Sequence, residues 1–500
     1  MAQNICNSNN NNRNNYFFKM NTNKTFKATA IVLGIILAVF IGVLSFYIMH
    51  NACWLIGDDA IIINRTGWDI PFTIWDTIKP EIGRFFPLAY MHENLVLLFP
   101  GEIHSATQHY VVNLILFLVL TAMLVFSLWK VVKPSNLMDL VLIFLATILC
   151  VTRLYGIYIN VFSSIYQYYT LTAILVVCFI QYYNTQKYIY GIFALLLTTY
   201  TVFCGENVFV VPLSIGVITL LFGRNKLTKH NVFFNIGLIT IALVFLLIYY
   251  FGIFLKVDTG ALYDPSHGTD VSFIENALFI LKGQKFLVFA AFLWLYRQII
   301  LILQKDQFNV LYDSLLWTAG AILLGGFILK LNWQMYYYTA IIYALPAVVY
   351  FCYNHFGKVG CLIIITLFAG LHSLKLPSYI KNNQEKRMYT TETIAKISNE
   401  INSGRDVIWY ETEGICLMPN ELERRSWIKW CIKSCIQHHL QIKEWNYSAD
   451  NFSETCVLLC PIENTKCDDG FVCDKKNPDA MINDIFIYYN YIHKNESSIQ

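Results

Sequence analysis

"ATAIVLGIILAVFIGVLSFYIMHNACWLIGDD", residues 28–59, decides how this chain is read. Ala28 to Met49 carries no charge, and a helix needs about 20 apolar residues to cross roughly 30 Å of hydrocarbon. The run is too long for a signal-peptide core and no small-residue cleavage site follows it, so a retained signal anchor is expected. Shortly beyond it stand two adjacent acids, Asp58 and Asp59, tethered at the lipid–water boundary. The head before it, "NICNSNNNNRNN", is low-complexity and expected to be disordered over 1–27, with Met20 as an alternative start.

The rest of the chain repeats the apolar theme. Of 500 residues, 56% are hydrophobic and only 14% charged, against about 25% charged in a soluble domain. So much apolar surface does not fit inside a soluble core, and the partner it implies is a lipid bilayer. A net charge of +3 is too small to argue for nucleic acid. Eleven spans are expected, near 28–49, 110–130, 137–152, 168–183, 189–204, 206–222, 232–254, 286–303, 314–330, 337–352 and 359–375. The fifth and sixth are separated only by "CGEN" and can be one kinked unit. The expected fold is an all-α polytopic bundle over 28–376, with a small α/β domain at 377–500.

Lysine and arginine placement gives an orientation. Arg13, Lys19, Lys24 and Lys27 precede the first span; Lys130 and Lys133 follow the second. Arg224, Lys226 and Lys229 follow the sixth, and Lys358 precedes the last. All lie on one side if the N-terminus is cytoplasmic. The acid-rich segments 50–109, 255–285 and the tail then lie outside, in a multi-pass protein of the cell membrane. No internal repeat is visible, which weighs against an inverted-repeat transporter. Arg297, in the inner half of its span, is expected to snorkel to the cytoplasm.

The tail reads as helix (about 384–402), strand ("DVIWYE"), helix (about 421–440), strand ("ETCVLLCP") and a final amphipathic segment. It holds Cys416, Cys431, Cys435, Cys456, Cys460, Cys467 and Cys473. An exported domain meets an oxidising compartment, so disulfides between different elements are expected. A zinc site at His438 or His439 is the alternative, without paired CxxC spacing to support it.

After the acid pair the loop continues "TGWDIPFTIWDTIKPEIGRFFPLAYMHENL". Trp68, Trp75, Phe85, Phe86 and Tyr90 suit an interfacial aromatic layer, and Lys79 and Arg84 supply cations for a phosphate. A carboxylate beside water can act as general base on a hydroxyl, and an adjacent like charge raises one pKa of the pair. Arg153, at the outer end of the third span, is either a snorkelling side chain or a phosphate clamp. Glu206, between two spans, either makes a turn or meets Arg153 or acceptor hydroxyls. The loop with Lys256, Asp264, His267 and Asp270 reads as flexible; His267 is its candidate substrate contact. "LNWQMYYYT", residues 331–339, reads as an aromatic belt.

In this layout the chain resembles the GT-C superfamily of integral-membrane glycosyltransferases, and within it the lipid-sugar-dependent branch of protein O-mannosyltransferases and aminoarabinose transferases. "GDDA" matches the branch's acidic pair. "TGWDIPF" approximates its Gly-Asp-Trp-x-x-Pro stretch with Trp and Asp in reversed order, and "GRFFPL" stands for its Lys-Pro-Pro-Leu stretch with Arg84 in the lysine position. The resemblance implies a polyprenyl-phosphate sugar donor, a glycan, lipid or protein acceptor, and inversion at the anomeric carbon. It makes Asp58 the base and leaves Asp59 to orient the acceptor or a divalent cation. Arg84, Arg153 and Lys79 would hold the donor phosphate, and Glu206, His267 and Trp68 the substrate. The residues alone also admit a surface-polysaccharide polymerase or ligase and, with less support, a transporter.

The orientation has a direct test. An impermeant thiol reagent applied to intact cells is expected to label cysteines placed in the 50–109 loop and in the tail, and none before residue 28. Protection of a folded, reduced tail contradicts it.

Overall fold

The structure, a computed structural model, describes residues 24–50, 52–55, 59–80, 83–158, 164–205, 208–223, 226–256, 272–303, 308–328, 335–405, 407–409, 419–443, 455–460, 471–472, 480–482 and 485–493. Asp58, Glu206 and His267 lie outside these residues. Helix α1 (Lys24–His50) leads into a first loop that holds α2 (Asp59–Ile63), a hairpin of β1 (Ile78–Lys79) and β2 (Arg84–Phe85), and a 3-10 segment, Met91–Leu98. Then come α3 (Ala106–Val132), α4 (Leu137–Tyr158), α5 (Ser164–Thr185), α6 (Tyr188–Val202), α7 (Val210–Phe222), α8 (Lys229–Gly252) and α9 (Phe273–Gly283). The bundle closes with α10 (Lys285–Leu303), α11 (Tyr312–Ile328), α12 (Met335–His355) and α13 (Gly357–Ser373).

The chain is a helical membrane protein. Among the described residues six helices are long and apolar enough to cross a bilayer: those at Phe26–His50, Ala106–Val132, Leu137–Tyr155, Lys229–Lys256, Lys285–Leu303 and the one beginning at Gly357. Helices α6, α7 and α11 are apolar but shorter, and α6 and α7 are two separate helices rather than one kinked unit. The surface of α1 shows what surrounds it. Ile31, Ile35, Val39 and Val43, one per turn, are exposed, while Ile41, Leu44 and Ile48 are buried. An apolar stripe at that spacing faces lipid, because lipid makes no demand for polar groups on a helix whose backbone bonds are internal.

Contacts between helix ends fix how the bundle alternates. At one end, the first loop meets the C-terminal ends of α6 and α8: Leu88 N–H donates to Phe203 O (3.0 Å) and Tyr249 Oη to Gly83 O (3.1 Å). The loop also meets the N-terminal end of α5, where His92 N–H donates to Gln167 Oε1 (3.0 Å). At the other end, Lys226 Nζ donates to Phe308 O (3.0 Å), joining the α7–α8 and α10–α11 connections. Helix α12 runs through the middle: Tyr337 through Val349, Pro346 included, are all buried. Tyr337 and Tyr338 are therefore core, not an interfacial belt. Close approach of α11 and α12 needs Gly326, where an added Cβ would fall 2.5 Å from the Tyr337 ring.

One expectation is corrected here. Arg297 does not snorkel: it is 2% exposed and grips Asp313 of α11 with two bonds, Nε to Oδ1 at 3.0 Å and Nη2 to Oδ2 at 2.8 Å. Asn309 N–H adds a third bond to Oδ2 (2.7 Å), and the guanidinium lies 4.4 Å from the Phe351 ring. The planar fork fits a carboxylate in two places at once, which the sequence spacing did not reveal.

The tail does not begin as a separate unit. Helix α14 (Leu376–Asn402) follows α13 after only Leu374 and Lys375. Beyond it lie β3 (Val407–Trp409), α15 (Pro419–Leu440), β4 (Thr455–Cys460), β5 (Phe471–Val472), β6 (Ala480–Ile482) and β7 (Ile485–His493). Strand β3 pairs parallel with β4, β4 antiparallel with β7, and β5 and β6 both pair with β7.

Breaking a buried ion pair leaves an uncompensated charge and costs about 3–5 kcal/mol. Arg297→Ala is expected to lower the thermal unfolding midpoint sharply in detergent, and Arg297→Met combined with Asp313→Leu to recover most of it. Equal midpoints for the single variant and the native chain contradict the pairing.

Candidate functional site

The first loop folds as a layer across the end of the bundle, and the tail lies on top of it. Its centre is Asp59, the first residue of α2. The side chain is 3% exposed, and Oδ2 accepts the Leu55 N–H at 2.7 Å. That bond spans four residues and ties the chain on either side of Asp58. Arg387 of α14, itself 3% exposed, sits within electrostatic reach of Asp59 and stacks over the Tyr110 ring at 5.2 Å. A carboxylate this deep needs an opposite charge nearby, and the tail supplies it. Asp59 is thus a buried member of the layer rather than an acid open to the membrane surface.

Helix α15 covers the layer. Asn64 Nδ2 donates to Ser434 Oγ (2.6 Å), and His438 Nε2 donates to the His104 carbonyl (3.0 Å). Ala60 and Ile63 of α2 share a small apolar core with Ile394, Ile397, Cys431, Ile432, Cys435 and Ile436. Cys431 and Cys435, expected to form disulfides, carry free thiols packed in that core. Burial pushes the Cys435 thiol well above its ordinary value, with Asp59 adding to it. Burial also raises Cys53, against the pull of Arg387. Both thiols are therefore neutral and poor nucleophiles at pH 7. Among the described residues no group of three His, Cys, Asp or Glu side chains is arranged to hold a metal ion, so the zinc alternative gains no support from His438.

Below Asp59 lies a second polar knot that sequence reading missed. Glu93 is fully buried, with Oε1 3.1 Å from His92 Nε2 and Oε2 4.0 Å from His109 Nε2. The tautomers follow from the neighbours. Gln167 Nε2 donates to Leu88 O (3.2 Å), so its Oε1 accepts from His92 Nδ1 (3.0 Å). His109 Nδ1 donates to Ser105 O (3.0 Å) and its Nε2 faces Thr66 Oγ1 (3.0 Å). His92 Nε2 and Glu93 Oε1 are close, but not aligned as a hydrogen bond. This knot ties the 3-10 segment to α3 and α5.

The remaining candidates are placed as follows. Lys79 and Arg84 face each other across the β1–β2 hairpin. Phe85 is buried among Phe203, Phe245 and Tyr249, and Tyr90 stacks on Phe72 at 5.1 Å. Trp68 is only 8% exposed and packs edge-on against His438 (5.6 Å), so it faces the tail helix, not a sugar at the interface. Of the expected aromatic layer, Trp75 stays open, at 72% exposure. Arg153 lies elsewhere: its Nη2 donates to Gly283 O (2.5 Å) and its guanidinium lies 5.1 Å from the Tyr338 ring.

No protein-family model and no curated protein sequence matches the chain.

His438 gives a pH test of the covering helix. Burial lowers it to about 4, His109 and His439 push the same way, and the carbonyl bonds to His104 and Gly67 oppose. The folded value is depressed below the ordinary 6.5, so the stability this neutral ring contributes is complete above pH 6.5 and lost as pH falls towards 4. At pH 5 the loss is about 2 kcal/mol. Amide exchange over residues 431–440 is expected to quicken from pH 7 to 5 after correction for intrinsic rates, and His438→Gln to flatten the change. An unchanged protection factor at pH 5 contradicts it.

Proposed function

We propose that the protein is an integral-membrane glycosyltransferase that moves a sugar from a polyprenyl-phosphate donor to an acceptor hydroxyl at the outer membrane surface. In this reading eleven helices, α1, α3–α8 and α10–α13, cross the bilayer, with the N-terminus cytoplasmic and the first loop and tail outside. The alternation of helix ends supports this, because the ends that meet the first loop are those an up-and-down path through eleven spans would bring there.

One observation carries the reading. The bond from Leu55 N–H to the Asp59 carboxylate brackets Asp58 at the end of the first span, within a layer that also bears the facing cations Lys79 and Arg84. Asp58 acts as general base: it takes the proton of the acceptor hydroxyl as that oxygen attacks the anomeric carbon. The bond from that carbon to the phosphate oxygen breaks, and the polyprenyl phosphate leaves with the bonding pair. A cation near the departing oxygen stabilises the charge that develops there. Asp59, being buried, is a positioning residue that holds the base through the main chain. The acceptor is a hydroxyl of a glycan, a lipid or a protein; the chemistry at the anomeric carbon is the same for each.

Membranes with the native chain, given a panel of radiolabelled polyprenyl-phosphate sugars, are expected to transfer at least one. Asp58→Asn keeps size and polarity and removes the base. It is expected to slow transfer by about two to four orders of magnitude with insertion unchanged. Native rates in Asp58→Asn would remove the base from the mechanism, and no transfer from any donor by the native chain would remove the activity.

A further inference from the structure

Helix α9 lies in the connection between α8 and α10 and is too short to cross a bilayer. Its 11 residues reach about 16 Å, against roughly 30 Å of hydrocarbon. A capping box fixes its start: Ser272 N–H donates to Glu275 Oε2 (2.8 Å), and Glu275 N–H donates to Ser272 Oγ (3.1 Å). At its end Gln284 leaves helical geometry, with ψ at 43°, and α10 starts afresh at Lys285. So α9 is an element of its own rather than the first turns of α10.

Its sides differ in what they meet. Asn276 and Ile280 are buried against the bundle. Asn276 Nδ2 donates to Phe327 O (3.1 Å) and Gly326 O (3.4 Å), carbonyls of the last turn of α11, which a helix leaves unpaired. The Phe273 ring lies 5.7 Å from Phe327, and the Phe279 ring 6.4 Å from Tyr337 at the start of α12. Helix α9 therefore clasps the junction of α11 and α12. The opposite side carries Ile274, Leu278 and Leu281, at the i, i+4, i+7 spacing of one helix face. All three are exposed, Ile274 at 74%. Glu275 and Lys282, also exposed, stand on the flank between the two sides.

Large apolar side chains in a row are costly in water, and two features identify lipid as what covers these. Helix α10 is long and apolar enough to cross a bilayer and begins at Lys285. Helix α9, ending at Gly283, thus stands where a span meets the headgroups. The stripe also continues the apolar outside of the bundle: Leu324 and Ile328 of α11, one turn apart, are exposed beside Phe327, which touches Phe273. Lys282 and Lys285, both exposed, stand at the same end of α9. A lysine there lays its stem on the acyl chains and lifts its ammonium to the phosphates. We propose that α9 is an interfacial helix lying on a phospholipid bilayer, with Ile274, Leu278 and Leu281 among the acyl chains and Lys282 and Lys285 at the headgroup phosphates. The bilayer then holds the α11–α12 junction from outside, through Asn276 and Phe279. None of this requires sugar transfer, so it stands or falls apart from the glycosyltransferase reading.

Photo-crosslinking reads the partner directly. The full chain in phosphatidylcholine nanodiscs, with a benzophenone amino acid in place of Ile274 or of Leu278, is irradiated and weighed intact. Both are expected to gain the mass of one lipid, as is a benzophenone at Phe292, exposed on α10 within its span. A covalent dimer without lipid adduct makes a second copy of the chain the partner. Unchanged mass at 274 and 278 beside an adduct at 292 leaves the stripe in water. Either result overturns the proposal. Amide exchange in the same nanodiscs measures what the contact contributes. Ile274→Gln with Leu278→Gln is expected to quicken exchange over residues 272–284 at least about tenfold, with insertion unchanged. Glutamine is a better helix former than isoleucine, so on a water-facing stripe exchange would stay the same or slow, and that outcome also overturns the proposal.

Discussion

A carboxylate buried at 3% exposure sets the terms for everything at the first-loop end of this bundle. Asp59 is delivered there by the first span, and a charge so placed is costly without a partner. Its partner in the tail, Arg387, arrives only after the whole bundle has been threaded. The tail must therefore return to the end of the bundle where α1 emerges. Once it does, α14 and α15 bury the apolar side of α2, and Asn64, Ser434 and His438 complete the seal. The same arrangement holds the chain on both sides of Asp58 in place.

The two ends of the bundle solve the problem of polar groups differently. At the end away from the first loop, charges are matched in pairs: Arg297 with Asp313, and Lys358 with Asp139, which Tyr353 and Ser135 also hold. Such sites are closed and have no further chemistry to offer. At the end near the first loop, polar groups outnumber their partners. Glu93 meets only histidine nitrogens, and the side-chain amide of Gln284 has no hydrogen-bond partner among the described residues.

The membrane-spanning character was legible because it depends on local composition. Runs such as residues 28–49 read as spans whatever surrounds them. The place of Asp59, a few residues beyond the first span, was equally local. What pairs over long distance was not. "MHENL" at 91–95 reads as an ordinary polar loop, yet His92 and Glu93 are core, because Gln167 and His109 come to meet them from other helices. Arg387, in "NQEKRMYTT", looks like one more solvated charge. Its spacing from Ile394, Ile397 and Ile401 put it on the packed face of α14, and an arginine on an apolar face was the available sign of a buried partner. Trp68 misled for the opposite reason. Its position fitted an interfacial aromatic, and only α15, folded over from the tail, buries it.

The central claim is that the tail closes over the first loop and thereby builds the layer around Asp59. A pair of cysteines tests it most directly. Asn64 and Ser434 touch at 2.6 Å, so Asn64→Cys with Ser434→Cys places two thiols side by side. In intact membranes under mild oxidation, the account predicts a rapid intramolecular crosslink, seen as a joined peptide after digestion and absent from either single variant. A chain that inserts normally but gives no such peptide would contradict the closed layer, and with it the positioning of the proposed base.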